Sequence, residues 1–282
     1  MRILVTGAKG MLGTDLCAEL SAQHQVTGVD IGDFDICSQE AVTAIAGLQP
    51  ELVAHCAAYT NVDGCETDPD TAYSVNGLGT RHAALACQKL GIPMLYISTD
   101  FVFDGSKKEP YYEWDQPIPL GHYGRSKLAG EEEVRSLLSR FYIVRTSWLF
   151  GPNGKNFVAS ILKKAREAGS VKVVDDQTGS PTYTRDLCNA LSLLVPSGLY
   201  GTYHLSNSGS CTWYRFAKTA LDYAGIKAEI SPIKTGEYPT PTKRPAFSVL
   251  NNFAWTREFR TPLRPWQEGL KDYIRETMHV QC

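Results

Sequence analysis

The 282 residues contain no apolar run long enough to cross a bilayer, so no membrane partner is expected. Neither charge dominates. The 28 Lys and Arg stand against 30 Asp and Glu for a formal net charge of -2, and the cations are scattered, which excludes a broad electrostatic surface for nucleic acid or anionic lipid. Any anionic ligand has to be gripped locally. Internal repeats and low-complexity tracts are missing, and the eight cysteines, at 17, 37, 56, 65, 87, 188, 211 and 282, form no C-x-x-C pair. Several of them fall inside apolar helix or strand patterns, the usage of reduced core thiols in a cytoplasmic protein. The six histidines show no H-x-x-x-H or mixed Cys/His spacing, so no metal site is expected. The opening "MRILVTGAKG" passes directly into an apolar strand and a glycine turn, without the basic start and cleavage site of a secretory leader.

Short runs rich in Val, Ile and Leu alternate with segments of helical period, the pattern of parallel strands covered by helices on both faces. Strands are predicted at 2–6, 25–30, 51–57, 94–98, 141–145 and 171–174, with helices near 12–22, 39–47, 71–90 and 123–138. After about residue 150 the rhythm changes. Helical pieces near 156–168, 184–195, 212–224 and 265–277 are separated by Pro- and Gly-rich connectors such as "GEYPTPTKRPAF". The expected fold is α/β: a Rossmann-type doubly wound parallel sheet over residues 1–150, with a smaller interleaved α/β substrate-binding domain over 151–282. Strands near 171–174 and 203–207 are expected to return to the first sheet.

"ILVTGAKGMLG" places Gly7, Gly10 and Gly13 between the first strand and the first helix. Glycines allow the tight turn and let backbone N–H groups approach a pyrophosphate at the helix amino terminus. The spacing G-x-x-G-x-x-G is one residue longer than the G-x-G-x-x-G fingerprint, so context carries the reading. Asp30 ends the second strand where an acid can meet an adenosine ribose, which favours NAD. Lys9 points the other way, as either a solvated turn lysine or a cation beside a 2'-phosphate. Use of both NADPH and NADH is expected.

"YISTDFVFDG" puts Ser98, Thr99 and Asp100 at the carboxyl end of the fourth strand, the edge where open parallel sheets bind ligands. "YGRSK" then places Tyr123 and Lys127 one turn apart on a helix. A free phenol, with a pKa near 10, is a poor acid at neutral pH, and a neighbouring ammonium is expected to lower it. In this reading Tyr123 gives a proton to a carbonyl oxygen as hydride reaches its carbon, Lys127 tunes the phenol and holds the nicotinamide ribose, and Thr99 orients the oxygen.

With these residues the chain resembles the extended short-chain dehydrogenase/reductase family. The likeness runs through "TGAKGMLG", "HCAAYTNVDGCE", "ISTDFVFDG", "YGRSKLAGE", "RTSWLFG", "VVDDQTGSPTYTRDL", "YHLSNSG", "TWYRFA" and "YPTPTKRPAFSVL". It implies an NADPH- or NADH-dependent reductase acting on the C4 ketone of a dTDP-linked deoxysugar. By resemblance, Gly7, Gly10, Met11, Leu12 and Gly13 surround the pyrophosphate, Asp30 meets the adenosine, Asp35 and Ile36 flank the adenine, and Ala57, Ala58 and Tyr59 pass beside the cofactor. Thr99, Tyr123 and Lys127 are the implied catalytic set, with Tyr123 and Lys127 also touching the cofactor. Thr60, Val62, Thr99, Asp100 and Trp148 are implied to line the sugar pocket, Trp148 otherwise reading as a core residue. Arg244 is assigned to the substrate diphosphate or to the surface. A homodimer is the expected assembly. His122, where relatives carry a small or apolar residue, is not counted as catalytic.

Sugar-nucleotide dehydratases of similar sequence carry an acidic pair after the strand-end threonine. Here Asp100 is followed by Phe101, which disfavours dehydration. Relatives that epimerise and reduce a GDP-sugar use a strand-end cysteine, and none lies near Thr99. An epimerase recycling a bound NAD and a non-catalytic, nucleotide-binding regulatory subunit remain as alternatives, and the tryptophan of "RTSWLFG" favours the sugar reductase.

Overall fold

Strands buried on both faces have to lie between layers of helices, and the computed structural model, which describes residues 1–279, has that form. Along the chain run β1 (Arg2–Thr6), α1 (Met11–Ser21), β2 (Gln25–Val29), α2 (Glu40–Gly47), β3 (Leu52–His55), the short α3 (Gly64–Thr67) and α4 (Pro69–Tyr73), α5 (Thr80–Leu90), β4 (Met94–Thr99), α6 (His122–Leu137), β5 (Phe141–Thr146) and β6 (Leu149–Phe150). Then follow α7 (Phe157–Ala168), β7 (Ser170–Val174), β8 (Thr178–Gly179), β9 (Thr182–Tyr183), α8 (Thr184–Leu194), β10 (Gly201–His204), β11 (Cys211–Thr212), α9 (Trp213–Tyr223), β12 (Glu229–Ile233), α10 (Phe253–Phe259) and α11 (Trp266–His279).

Six strands form one parallel sheet in the order β10-β5-β4-β3-β1-β2. The direction of winding reverses between β1 and β3, which opens a crevice at the carboxyl ends of those strands. On one face Leu12, Leu16 and Leu20 of α1 pack with Leu187 and Leu191 of α8 and Trp255 of α10 against Ile3, Val5, Leu95 and Val144. On the other, Ile45, Ala83, Cys87 and Val134 cover Leu4, Val53, Tyr96 and Ile143. Each such leucine contributes about 1.5–3 kcal/mol by leaving water. A separate apolar cluster around Phe150, Phe216 and Trp266 joins α7, α9 and α11.

The strand expected at 171–174 does not return to the first sheet. As β7 it pairs in parallel with β12. Its pattern explains why: Val171 and Val173 are buried while Lys172 between them is exposed, the alternation of a strand with one wet face. The chain that does return is β10, which takes the edge beside β5.

The helix expected over 71–90 spans that stretch but carries a π-helical turn at Ser74–Gly79 between α4 and α5. It ends at Gly91, whose φ of +65° suits a residue without a Cβ. The Pro-rich segment after Gly236 crosses back over the first half of the chain. Thr242 donates to the Val62 carbonyl at 2.8 Å, and Arg244 pairs with Asp63 at 3.1 Å. All seven cysteines among the described residues are free thiols, and Cys282 lies outside those residues.

Candidate active site

The crevice is a cavity of about 1150 Å³ bordered by the glycine turn, the ends of β2, β3 and β4, the start of α6 and the segment around Trp148. Gly7 has φ +67°, and a Cβ there would stand 2.6 Å from the Ala57 nitrogen. A Cβ on Gly13 would lie 2.1 Å from the Gly7 carbonyl oxygen, so only glycine lets α1 start this close to the turn. Gly10 caps α1 with no side-chain hydrogen bond, and no acidic residue lies in the first turn. The free N–H groups and the positive end of the helix dipole therefore remain for an anion. This cradle fits the pyrophosphate of a dinucleotide.

Asp30, at the end of β2, is already engaged. Its carboxylate accepts from the backbone N–H of Lys9 and of Ile31, each at 2.9 Å. The Lys9 side chain leans over the following turn, with its nitrogen 3.9 Å from where a Gly32 Cβ would be. Asp35 and Ile36 border the cavity beyond that turn, while Ala57, Ala58 and Tyr59 border it from the end of β3. Tyr59 is pinned at two points by Asn76 in the π-helical turn. Its N–H donates to Asn76 Oδ1 at 2.9 Å, and Asn76 Nδ2 donates to its carbonyl at 3.1 Å and to Ser126 Oγ at 3.0 Å.

Thr99 closes β4, and its hydroxyl donates to Asp100 Oδ1 at 3.1 Å and accepts from the Phe101 N–H at 3.2 Å. The helix carrying Tyr123 reaches Thr99 because Gly124 follows it: a Cβ at that position would be 2.1 Å from the Phe101 carbonyl oxygen. Tyr123 is half-buried on the cavity wall, its ring edge-on to Phe101 at 5.6 Å and its phenol facing the Thr99 hydroxyl. Lys127 is buried one turn on, with Nζ 4.2 Å above the Tyr96 ring.

The electrostatics correct one expectation. The phenol of Tyr123 is pushed up from its ordinary value, by burial first and by the Asp100 and Cys65 charges after it, with only the Thr99 hydroxyl opposing. Lys127 does not lower it. Burial pulls the Lys127 ammonium down to about 7, against the supporting charges of Glu131 and Cys56. The sequence shows the spacing of the pair, but not the desolvation that moves both groups.

Beneath them Glu131 is fully buried and forks onto Arg145 at 2.9 and 2.8 Å, while Ser98 donates to it at 2.6 Å. Burial raises its carboxyl, yet Arg145, Arg135 and Ser98 together hold it below the usual range.

Trp148 and Trp213 form the opposite wall, stacked at 3.5 Å and 8° between planes, with Phe157 against Trp213 at 4.5 Å. Trp148 adopts φ +47°, a conformation costly for a bulky residue. Gly179 makes room for it, since a Cβ there would meet the indole at 2.4 Å. Thr60, Val62, Asp100 and Arg244 also border the cavity. Arg244 has one guanidinium nitrogen on Asp63, and its Nε is buried without a partner.

Every residue named for the site from the sequence therefore reaches this one cavity. His122 does not: its N–H donates to Glu66 at 2.7 Å, and its ring meets the edge of Tyr73. Sequence reasoning missed Asn76, Trp213 and Phe157. A polar residue in an apolar helix pattern was the available signal for Asn76, whereas the stacking of two distant tryptophans left none. Among the described residues no group of three or more His, Cys, Asp or Glu is placed to hold a metal.

A family model described as RmlD substrate binding domain matches residues 1–279. The spore coat polysaccharide biosynthesis protein SpsK of Bacillus subtilis (strain 168) is 42% identical over 277 residues, covering 98% of this chain and 97% of that protein. A dTDP-4-dehydrorhamnose reductase of Streptomyces griseus is 41% identical over 280 residues, 96% of this chain and 92% of its own. The crystal structure of dTDP-4-dehydrorhamnose reductase from Bacillus anthracis str. Ames in complex with NADP superimposes with a TM-score of 0.95 at 39% identity, covering 98% of this chain and 99% of that one.

Proposed function

We propose a reductase function for the chain, which belongs to the RmlD substrate binding domain family: it is a dTDP-4-dehydrorhamnose reductase, converting the C4 ketone of dTDP-4-dehydro-6-deoxy-L-mannose to the alcohol of dTDP-L-rhamnose. The observation that carries the chemistry is the meeting of Thr99, Tyr123 and Lys127 with the glycine cradle on one side and the paired tryptophans on the other. Residues 1–150 are assigned to the cofactor and 151–282 mainly to the sugar nucleotide. When bound, NADPH or NADH supplies hydride to C4.

The remaining work falls to the chain. Thr99 orients the ketone oxygen, Tyr123 protonates it, and Lys127 is placed to hold the nicotinamide ribose. A phenol with a raised pKa serves this direction of reaction, because it stays protonated at neutral pH. An alkoxide is a far stronger base than a phenolate, so the proton still moves downhill. Trp148 and Trp213 offer a flat apolar wall to the sugar face.

The test is direct. The purified chain alone is expected to oxidise NADPH in the presence of dTDP-4-dehydro-6-deoxy-L-mannose and to yield dTDP-L-rhamnose by NMR. No turnover, together with tight capture of another protein, sinks the enzyme in favour of a non-catalytic regulatory subunit. The likeness to a spore coat polysaccharide protein supports supply of a rhamnose-containing surface polymer. Free thiols support residence in the reducing cytoplasm, and a homodimer is part of the same reading, tested by sedimentation at about twice 31.1 kDa.

Cofactor choice turns on Lys9. Because Asp30 is engaged with two backbone amides, its repulsion of a 2'-phosphate is blunted, while the Lys9 ammonium lies over the turn after Asp30, where it can meet one. A charge-assisted contact is worth about 1.5 kcal/mol, so Lys9→Ala is expected to raise KM for NADPH about tenfold and leave KM for NADH nearly unchanged. Equal effects on both cofactors sink the assignment.

A further inference from the structure

Asp100 borders the same cavity, is 2% exposed, and has no role in the steps above. Its Oδ1 accepts from the Thr99 hydroxyl, whereas Oδ2 is buried without a well-formed hydrogen bond, the Ser248 hydroxyl lying near the carboxyl. A carboxylate left half-satisfied in this way is expensive, and a neutral acid much less so. Burial accordingly pushes Asp100 up to about 7, against the pull of the Ser248 and Thr99 hydroxyls and of the Asp100 and Phe101 amides.

No cation is among the groups that set its acidity. From α6 it faces Tyr123, with Lys127 one turn further along the cavity wall. From the returning connector come Ser248 and, across the cavity, Arg244 with its Asp63 partner. Cys65 of α3 faces the phenol. The Thr99 hydroxyl stands between the two acids, bonded to Asp100 and close enough to the Tyr123 phenol to pull on its acidity.

We propose, building on the reductase reading, that Asp100 is the second proton source of the reaction and recharges Tyr123 through the Thr99 hydroxyl. The Tyr123 O–H bond breaks as the C4 oxygen gains its proton. With Asp100 protonated, the bond between it and Thr99 runs from the acid to the hydroxyl oxygen, the Thr99 proton turns and passes to the phenolate oxygen, and the Thr99 oxygen takes the proton of Asp100. The C4 oxygen has then gained one proton, Asp100 has lost one, and Tyr123 and Thr99 are restored. Only the hydride donor already named is oxidised. Negative charge comes to rest on the weaker base, since Asp100 titrates near 7 and the phenol above its usual value. Solvent reprotonates Asp100 when product leaves.

The experiment measures kcat and KM against pH for the full chain with NADPH and dTDP-4-dehydro-6-deoxy-L-mannose. Two groups near 7 have to be protonated, Asp100 and Lys127, so the wild-type alkaline limb is expected to fall with the steepness of two ionisations. Asp100→Asn is expected to lose one of them and to lower the plateau kcat about 10²-fold, the weight of an acid-base group, with little change in KM. Thr99→Ser keeps the bridge and the steep limb, and Thr99→Val loses the same ionisation. An Asp100→Asn enzyme with the wild-type steepness, or one altered in KM alone, overturns the relay and leaves Asp100 as a sugar contact. Absence of wild-type turnover overturns the reductase reading and the relay together, so the two failures are told apart.

Discussion

Tyr123→Phe lowers kcat by about 10²- to 10⁴-fold, the usual weight of a general acid, while NADPH and sugar-nucleotide binding change little. The substitution removes one oxygen and nothing else. Phenylalanine keeps the edge-on contact with Phe101 at 5.6 Å, and the close seat of α6 against the Phe101 carbonyl depends on Gly124. With the hydroxyl gone, the C4 oxygen has no donor on that side except Thr99, which is itself engaged with Asp100 and Phe101. Steady-state kinetics and titration of bound NADPH check both halves. A Tyr123→Phe enzyme within tenfold of wild type moves the acid elsewhere.

Glu131→Gln costs about 3–5 kcal/mol of folding stability, because it leaves the Arg145 guanidinium buried without its anion. Arg145 is 1% exposed, so water cannot take over the lost charge. Glu133→Gln is the contrast. Its partner Arg81 has a side chain 44% exposed, and such a surface pair is worth at most about 1 kcal/mol. Urea unfolding of the two variants is expected to separate them clearly, and similar midpoints contradict a structural role for the Glu131 fork.

The pH dependence has a definite sign. The folded-state value of Glu131 is depressed, so its contribution is present above the unfolded carboxylate range and lost as pH falls through the folded value. Wild type therefore loses this stabilisation in acid, and the glutamine variant has none to lose. Glu131 is also the leading charge that supports the Lys127 ammonium. Its removal moves the alkaline decline of activity to lower pH.

Much of this was legible in the residues. The alternation of apolar runs and helical segments fixed the sheet and both helical layers, because strand burial and helix period leave separate marks. The glycine turn was readable because Gly7 and Gly13 each answer a backbone constraint that no other residue meets. The destination of β7 was misread although Lys172 marked a wet face. Short apolar strands look alike until their neighbours are known, and β10 supplied the edge instead. The acidity of Tyr123 could not be read at all, since spacing reports proximity and says nothing of desolvation. Trp213 works through a partner distant in sequence, and a single chain carries no record of such a pairing.

The late return of α8, β10 and α10 to the first sheet bears on how this molecule can be cut. A fragment ending near residue 150 strips the cover from Leu12, Leu16 and Leu20 and bares the outer edge of β5. Such a piece has sticky flanks on two sides, so the nucleotide-holding half is not a portable module, and grafting its chemistry elsewhere requires carrying the whole interlaced chain.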